Sequence, residues 1–524
     1  MRALSFADIF LFEGFRLDRR GLFRGDKDAF AAPVEIGSRA LEVLRVLVAR
    51  PGDLLSRHEI MVAAWPGMVI DDNNLTIQIA TLRRALDRGR TNDSCIQTIP
   101  GRGYRFVAPV TRVESSDRPL RPAPRLSIVV LPFANIGSDL DQHNFVDGIT
   151  EDLTTDLSRF ENMFVISRNT AFAYRNTPIA TRQIGRELGV RYALDGSVQR
   201  SGKQVRVTAR LIDVAGDAHL WAERFDRDTR DLFALQNEIT GRIANALNIE
   251  LIAAEAARPS DDADGPDYIL RGRAAGLRPA SRGAHAEQIG MYEQALALDP
   301  RSVEAQSLLA DALAHRVLDR LTDAAAADMA RAQELVDRAL AASPRSLTAH
   351  LAKGVVLRAQ DRCAEAIPEC ETVLAINPNA AAVLDVLADC KLLTGSMDEV
   401  IPLAEQAIRL SPRDPRIGYF CMRIGHVHLL QSCPDQAIPW LERARGAAPE
   451  IPFVHALLAA AHGLKGDMER AAPELAKVRR LAAANRWSSI AHMRAVGYWG
   501  APKVRAMMDA TYIAGLRKAG MPEE

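Results

Sequence analysis

The stretch LTIQIATLRRAL at 75–86, followed by IQTIPGRGYRFV at 96–107, decides how this chain is read. Leu75, Ile79, Leu82 and Leu86 recur at intervals of four, three and four residues, which puts one apolar stripe on a helix. Asn73, Ile77, Ala80, Thr81 and Arg84 fall on the opposite face. The second stretch reads as a β-hairpin whose tip, Pro100-Gly101-Arg102-Gly103, has the residue types a tight reversal demands. Gly89 marks the helix end before it.

Two more helices are predicted upstream. Ser38–Ala49 places Leu41, Leu44, Leu47 and Val48 on one face. Ser56-Arg57-His58-Glu59 is a capping box, in which the serine satisfies a free amide and the glutamate reaches back. The third helix then runs from about Asp72 to Leu86. Residues 9–36 read as short strands: IFLF, FRLD, GLFRG and PVEIG. Helix, turn, helix and a glycine-tipped hairpin is the layout of a winged helix-turn-helix, an α+β fold. A helix entering the ~12 Å major groove needs small or polar side chains at its centre and basic ones at its margin. Between Thr81 and Arg105 stand six arginines (Arg83, Arg84, Arg88, Arg90, Arg102, Arg105) against two aspartates, although Lys+Arg and Asp+Glu both total 66 in the chain. The positive charge is local, and double-stranded DNA is the partner it predicts.

LTIQIATLRRAL at 75–86 and IQTIPGRGYRFVAP at 96–109, with Arg50-Pro51-Gly52 and Ala64-Trp65-Pro66-Gly67, resemble the OmpR/PhoB-type winged-helix domains of bacterial regulators, part of a phosphorelay-related family. The resemblance covers about residues 8–110. It implies that the third helix reads the major groove through Asn73, Ile77, Ala80 and Thr81. Arg83, Arg84, Thr98, Arg102 and Tyr104 then become backbone or wing contacts. Arg83 lies near the buried stripe and either pairs with an acid or meets DNA; Tyr104 alternates with Phe106 and is either core or contact. The loop bearing Trp65 packs the helices or, as in relatives, meets RNA polymerase, which the resemblance adds as a partner. With Ala80 and Thr81 mid-face, where many relatives carry arginine, the groove face suits adenine and thymine methyl groups, an A·T-leaning half-site. One such domain covers a short half-site, so a homodimer on DNA is expected. The winged helix comes first, as in CadC- and HilA-like regulators, so no receiver is expected ahead of it.

Linkers at 111–125, with three prolines, and at 249–266 divide the chain into domains 1–110, 126–248 and 267–520. The middle one alternates helix and strand: SIVVLP, a helix at Asp147–Phe160, MFVIS, YALDGSV, a strand at Gln204–Asp213 and a helix at Leu232–Leu247. It is an α/β domain. VRVTARLIDVAGDAHLWAERFDRD and DLFALQNEITGRIANAL make it similar to TolB amino-terminal-like domains. His219, Trp221, Glu223 and Arg224 there either line a pocket or serve strand-end packing and salt bridges. In the last part, prolines 300, 344, 378, 412 and 449 stand 44, 34, 34 and 37 residues apart. That is tetratricopeptide spacing, predicting an all-α solenoid whose concavity takes a peptide, a partner protein or a small effector.

No catalytic motif is present. His58-Glu59 is followed by Val62 where HExxH needs histidine, and Gly101-Arg102-Gly103 lies in a hairpin. The six cysteines form no CxxC pair and read as free thiols in a reducing compartment. No run approaches the ~20 apolar residues of a membrane helix. The expectation is a cytoplasmic regulator in signal transduction, without cofactor, metal or membrane contact. Its alternative is a tetratricopeptide scaffold with a non-essential DNA module.

Overall fold

The structure is a computed structural model. It describes residues 9–18, 21–26, 29–34, 36, 38–64, 72–87, 94–113, 123–136, 142–175, 180–201, 204–228, 232–258, 263–481, 489–496 and 500–524. They divide into two compact units, Met1–Pro122 and Ala123–Glu524.

The first unit opens with β1 (Ile9–Phe12), β2 (Phe15–Asp18), β3 (Gly21–Asp26) and β4 (Ala29–Pro33), an antiparallel meander. The fourth strand lies largely upstream of the expected PVEIG, with Phe23 opposite Pro33 and Val34 N–H donating to Leu22 O at 2.9 Å. Helices α1 (Ser38–Val48), α2 (Arg57–Ala64) and α3 (Asp72–Leu86) follow, with the two-residue β5 (Leu54–Leu55) between α1 and α2. The capping box forms: Ser56 N–H donates to Glu59 Oε2 at 2.8 Å and Glu59 N–H to Ser56 Oγ at 3.2 Å. On α1, Val43 rather than Leu41 joins Leu44, Leu47 and Val48 in the core; Leu41 is half-buried. The hairpin is β6 (Ile96–Ile99) and β7 (Gly103–Phe106), with β5 pairing β7. Thr111–Val113, read as the start of a linker, forms β8 and pairs with β1 at the other end of the unit's sequence.

In the second unit, β9 (Ser127–Val130), β10 (Ala134–Asn135), α4 (Gln142–Ser158), β11 (Phe164–Val165), α5 (Arg168–Phe172) and α6 (Thr181–Leu188) lead into a three-strand meander. That meander is β12 (Tyr192–Ser201), β13 (Gln204–Asp213) and β14 (Ala218–Asp228), followed by α7 (Leu232–Ala256). The sheet order is β11-β9-β12-β13-β14. Ile128 and Val130 pack under α4 and α7, whereas Val129 meets α5 and α6. With both faces covered, β9 is buried throughout, the behaviour of a strand inside an α/β layer. On β14, Trp221 is buried, Glu223 accepts from Arg242 at 3.2 Å and Arg224 pairs with Asp226 at 3.2 Å. These are packing and surface ion pairs, one of the two readings open for them.

Helix α7 continues past the expected Leu247 to Ala256, into the second expected linker. Six antiparallel pairs follow: α8 (Gly265–Ala275) with α9 (Arg282–Leu298), α10 (Val303–Leu318) with α11 (Ala325–Ala342), and α12 (Leu347–Ala359) with α13 (Cys363–Ile376). The others are α14 (Ala381–Thr394) with α15 (Met397–Leu410), α16 (Ile417–Leu430) with α17 (Pro434–Ala447), and α18 (Pro452–Lys465) with α19 (Met468–Leu481). Each of the five repeat prolines falls between pairs, where no helix N–H is needed. The small residues at the crossings are required: a Cβ on Gly425 would lie 2.6 Å from Leu441 Cγ. A carboxylate of the α/β layer joins the array. Glu161 Oε1 accepts from Leu347 N–H at 2.6 Å and Oε2 from Thr348 N–H at 3.1 Å, capping the N-terminus of α12.

A candidate nucleic-acid interface

Helix α3 is positioned by its stripe. Leu75, Ile79, Leu82 and Leu86 are all buried in a core shared with α1 and the hairpin. Burying four leucine-type side chains fixes the roll of the helix, since each contributes about 1.5–3 kcal/mol. The opposite face must then be open. Ile77 is 58% exposed, and Ala80 and Arg84 are exposed with it. An exposed isoleucine beside an alanine is an apolar surface that nothing in this unit covers. Thr81 is half-buried, and its hydroxyl donates to Ile77 O at 3.0 Å. Asn73 lies in the first turn of α3, and its side chain is outside the described residues. So are Trp65, Arg88, Gly89 and Arg90.

The wing is built by its glycines. Pro100 and Gly101 (φ +70°) occupy the two central positions of a turn closed by Arg102 N–H to Ile99 O at 3.0 Å. Proline followed by a positive-φ glycine is the type II pattern. At Gly103 (φ +143°) a Cβ would lie 2.0 Å from Leu55 O, so only glycine lets β7 run against β5. Arg102 is left exposed at the tip.

Two sequence-expected residues take a different place. Arg83 donates from Nε and Nη2 to Ile96 O at 3.1 and 2.7 Å, and from Nη2 to Thr98 Oγ1 at 2.7 Å. Its guanidinium joins α3 to the first strand of the wing, engaging Thr98 as well. Tyr104 is 3% exposed in the core, with the Arg57 guanidinium 5.9 Å from its ring centroid. Its alternation with Phe106 reflects two inward side chains, and a ring so placed offers no surface to a duplex. One residue went unnoticed in the sequence: Asn74 is exposed, and its spacing of three and seven residues to Ile77 and Thr81 puts it on their face.

Residues 31–106 match the family described as transcriptional regulatory protein, C terminal. Residues 124–242 match the HilA/YgeH-like transcriptional regulator second domain, and 325–381 a tetratricopeptide repeat. A protein of Rhizobium meliloti (strain 1021) that bears the name adenylate cyclase 3 is 42% identical over 196 residues, 36% of this chain and 33% of that one. The transcriptional regulator HilA of Salmonella typhimurium (strain LT2) is 29% identical over 147 residues, 27% of this chain and 25% of its own length. Among solved structures, the DNA-binding domain of E. coli CadC is similar at 22% identity and a TM-score of 0.17, covering 20% of this chain and 94% of that one. The chain spans about a third or less of these two relatives. It carries an OmpR/PhoB-type domain, a HilA-like second domain and tetratricopeptide repeats, and no described helix is long and apolar enough to cross a membrane.

Proposed function

We propose that the chain is a sequence-specific DNA-binding regulator of transcription that acts in the cytoplasm and catalyses no reaction. The observation that carries this reading is the exposed face of α3, with Ile77, Ala80 and Arg84 open beside an exposed Arg102 at the wing tip. Asn73, Asn74, Ile77, Ala80 and Thr81 face base edges; Arg84 and Arg102 meet phosphate or sugar. Arg83, Thr98 and Tyr104 hold the wing against the reading helix. A duplex with two half-sites takes two copies of the chain, and RNA polymerase and a protein partner of the repeats complete the assembly.

The test is DNA binding by the full chain and by an Arg84→Ala/Arg102→Ala double variant, followed by fluorescence anisotropy on a site selected from random DNA. Counterion release makes log K fall with log salt by about 0.9 per phosphate contact, so the double variant is expected to bind weaker and lose about two units of slope. Equal binding by both proteins at low salt would favour the scaffold reading. The selected sites are expected to be A·T-rich, because Ile77, Ala80 and the Thr81 methyl match thymine methyls. Recovery of G·C-rich sites would refute that specificity.

A further inference from the structure

The first helices of successive repeats, α10, α12, α14 and α16, line the inner face of the array. With the C-terminal segment they enclose a cavity of about 170 Å³, well above the ~10–15 Å³ that admits one water. Met493 and Met508 reach it from Ile490–Val496 and Pro502–Met508, and Ala501 N–H donates to Leu393 O at 2.8 Å, fastening that segment to α14.

Four arginines and four aspartates line this space, together with Met422, Met493, Met508 and Phe453. Some of the charges satisfy one another: Arg358 donates to Asp389 at 2.6 Å and Arg423 pairs with Asp389 at 3.0 Å. Others do not. Asp385 is 2% exposed, yet its Oδ1 accepts no hydrogen bond and meets Arg423 Nε only at 3.3 Å without hydrogen-bond geometry. Arg416 donates from Nη2 to His315 Nε2 at 2.5 Å and its guanidinium lies 5.4 Å from the Tyr419 ring centroid, while no carboxylate among the described residues comes within ion-pair distance of it. Asp385 Oδ1, Arg423 Nε and His426 Nδ1 are buried here without hydrogen-bond partners, which is costly, so a cavity that keeps them is arranged for something that supplies the partners.

We propose that this cavity binds a free α-amino acid with an apolar side chain. Arg416 takes the carboxylate, Asp385 takes the ammonium, and the side chain lies among the three methionines and Phe453. Methionine side chains adapt their shape to an apolar guest. The equal numbers of arginine and aspartate select a ligand that is dipolar but neutral overall. Inorganic phosphate or a polyamine would leave a net charge buried, which is costly.

Isothermal titration of the full chain, without DNA, tests the site independently of the DNA-binding reading. The probes are L-leucine, L-methionine and L-phenylalanine, their N-acetyl and amide derivatives, the dipeptide Leu-Leu, inorganic phosphate and spermidine. At least one free amino acid is expected to bind with Kd below about 1 mM, and blocking either end is expected to weaken it about tenfold or more. Arg416→Gln and Asp385→Asn are each expected to abolish the heat while the helical circular dichroism is kept. If either variant fails to fold, the blocked derivatives on the unaltered protein still decide. The proposal is overturned if no free amino acid binds, if the blocked forms bind equally well, or if Leu-Leu, phosphate or spermidine binds more tightly.

Discussion

Arg83 shows how one side chain can brace the wing against α3, the helix proposed to read DNA. Its two nitrogens hold the Ile96 carbonyl and its Nη2 also engages Thr98, so the wing keeps a fixed angle to α3. Arg83→Ala is expected to lower the stability of the first unit by about 1–3 kcal/mol and to weaken all DNA sequences alike. Arg83→Lys should not restore the loss, since an ammonium lacks the planar fork. Urea unfolding and anisotropy on matched and scrambled duplexes check both. His426 is a second residue with a consequence at its own scale. Burial on α16 pushes its imidazole down to about 3 from an ordinary value near 6.5. The unfolded chain therefore binds the proton first, and the contribution of neutral His426 is present above about pH 6.5 and is lost as pH falls. At pH 5.5 the loss is about 1.4 kcal/mol. Urea midpoints of the second unit at pH 7.5 and 5.5 should show this drop, and a His426→Phe variant should lack it.

At the scale of elements, the cap that Glu161 places on α12 crosses from the α/β layer to the helical array. Thr348 Oγ also donates to Glu161, and on a second contact Asn245 Nδ2 donates to Asn379 O at 2.9 Å. Such contacts tie the α/β layer to the array at two places. Glu161→Ala is expected to cost about 1–2 kcal/mol, the value of an N-cap. Hydrogen exchange locates the effect, with the Leu347 and Thr348 amides losing protection while those of α16 keep theirs. The hairpin was legible as an element because Pro100-Gly101 and Gly103 can serve few other purposes. Strand β8 was not, since its partner β1 lies about a hundred residues away and the prolines that follow it, Pro119, Pro122 and Pro124, look like spacer.

For the whole molecule, the division at Pro122 separates the duplex-reading unit from everything else. A fragment ending at Val113 keeps β8 and is expected to fold alone and bind a half-site with the salt dependence of the full chain. Regulation of its target by that fragment, unchanged from the full chain, would show that the second unit exerts no control. Loss of regulation with DNA affinity intact is the expected outcome.

The sequence by itself determined the order of folds, the stripe of Leu75, Ile79, Leu82 and Leu86, the wing tip and the repeat boundaries. Each of these is a periodic or backbone-conformational demand that neighbouring residues state locally. Only tertiary structure decided whether Arg83 and Tyr104 face inward, that Glu161 caps α12, and that Asp385 and Arg416 share one cavity. Those facts depend on residues distant in sequence meeting in space, and no local period encodes which partner a buried polar group will find.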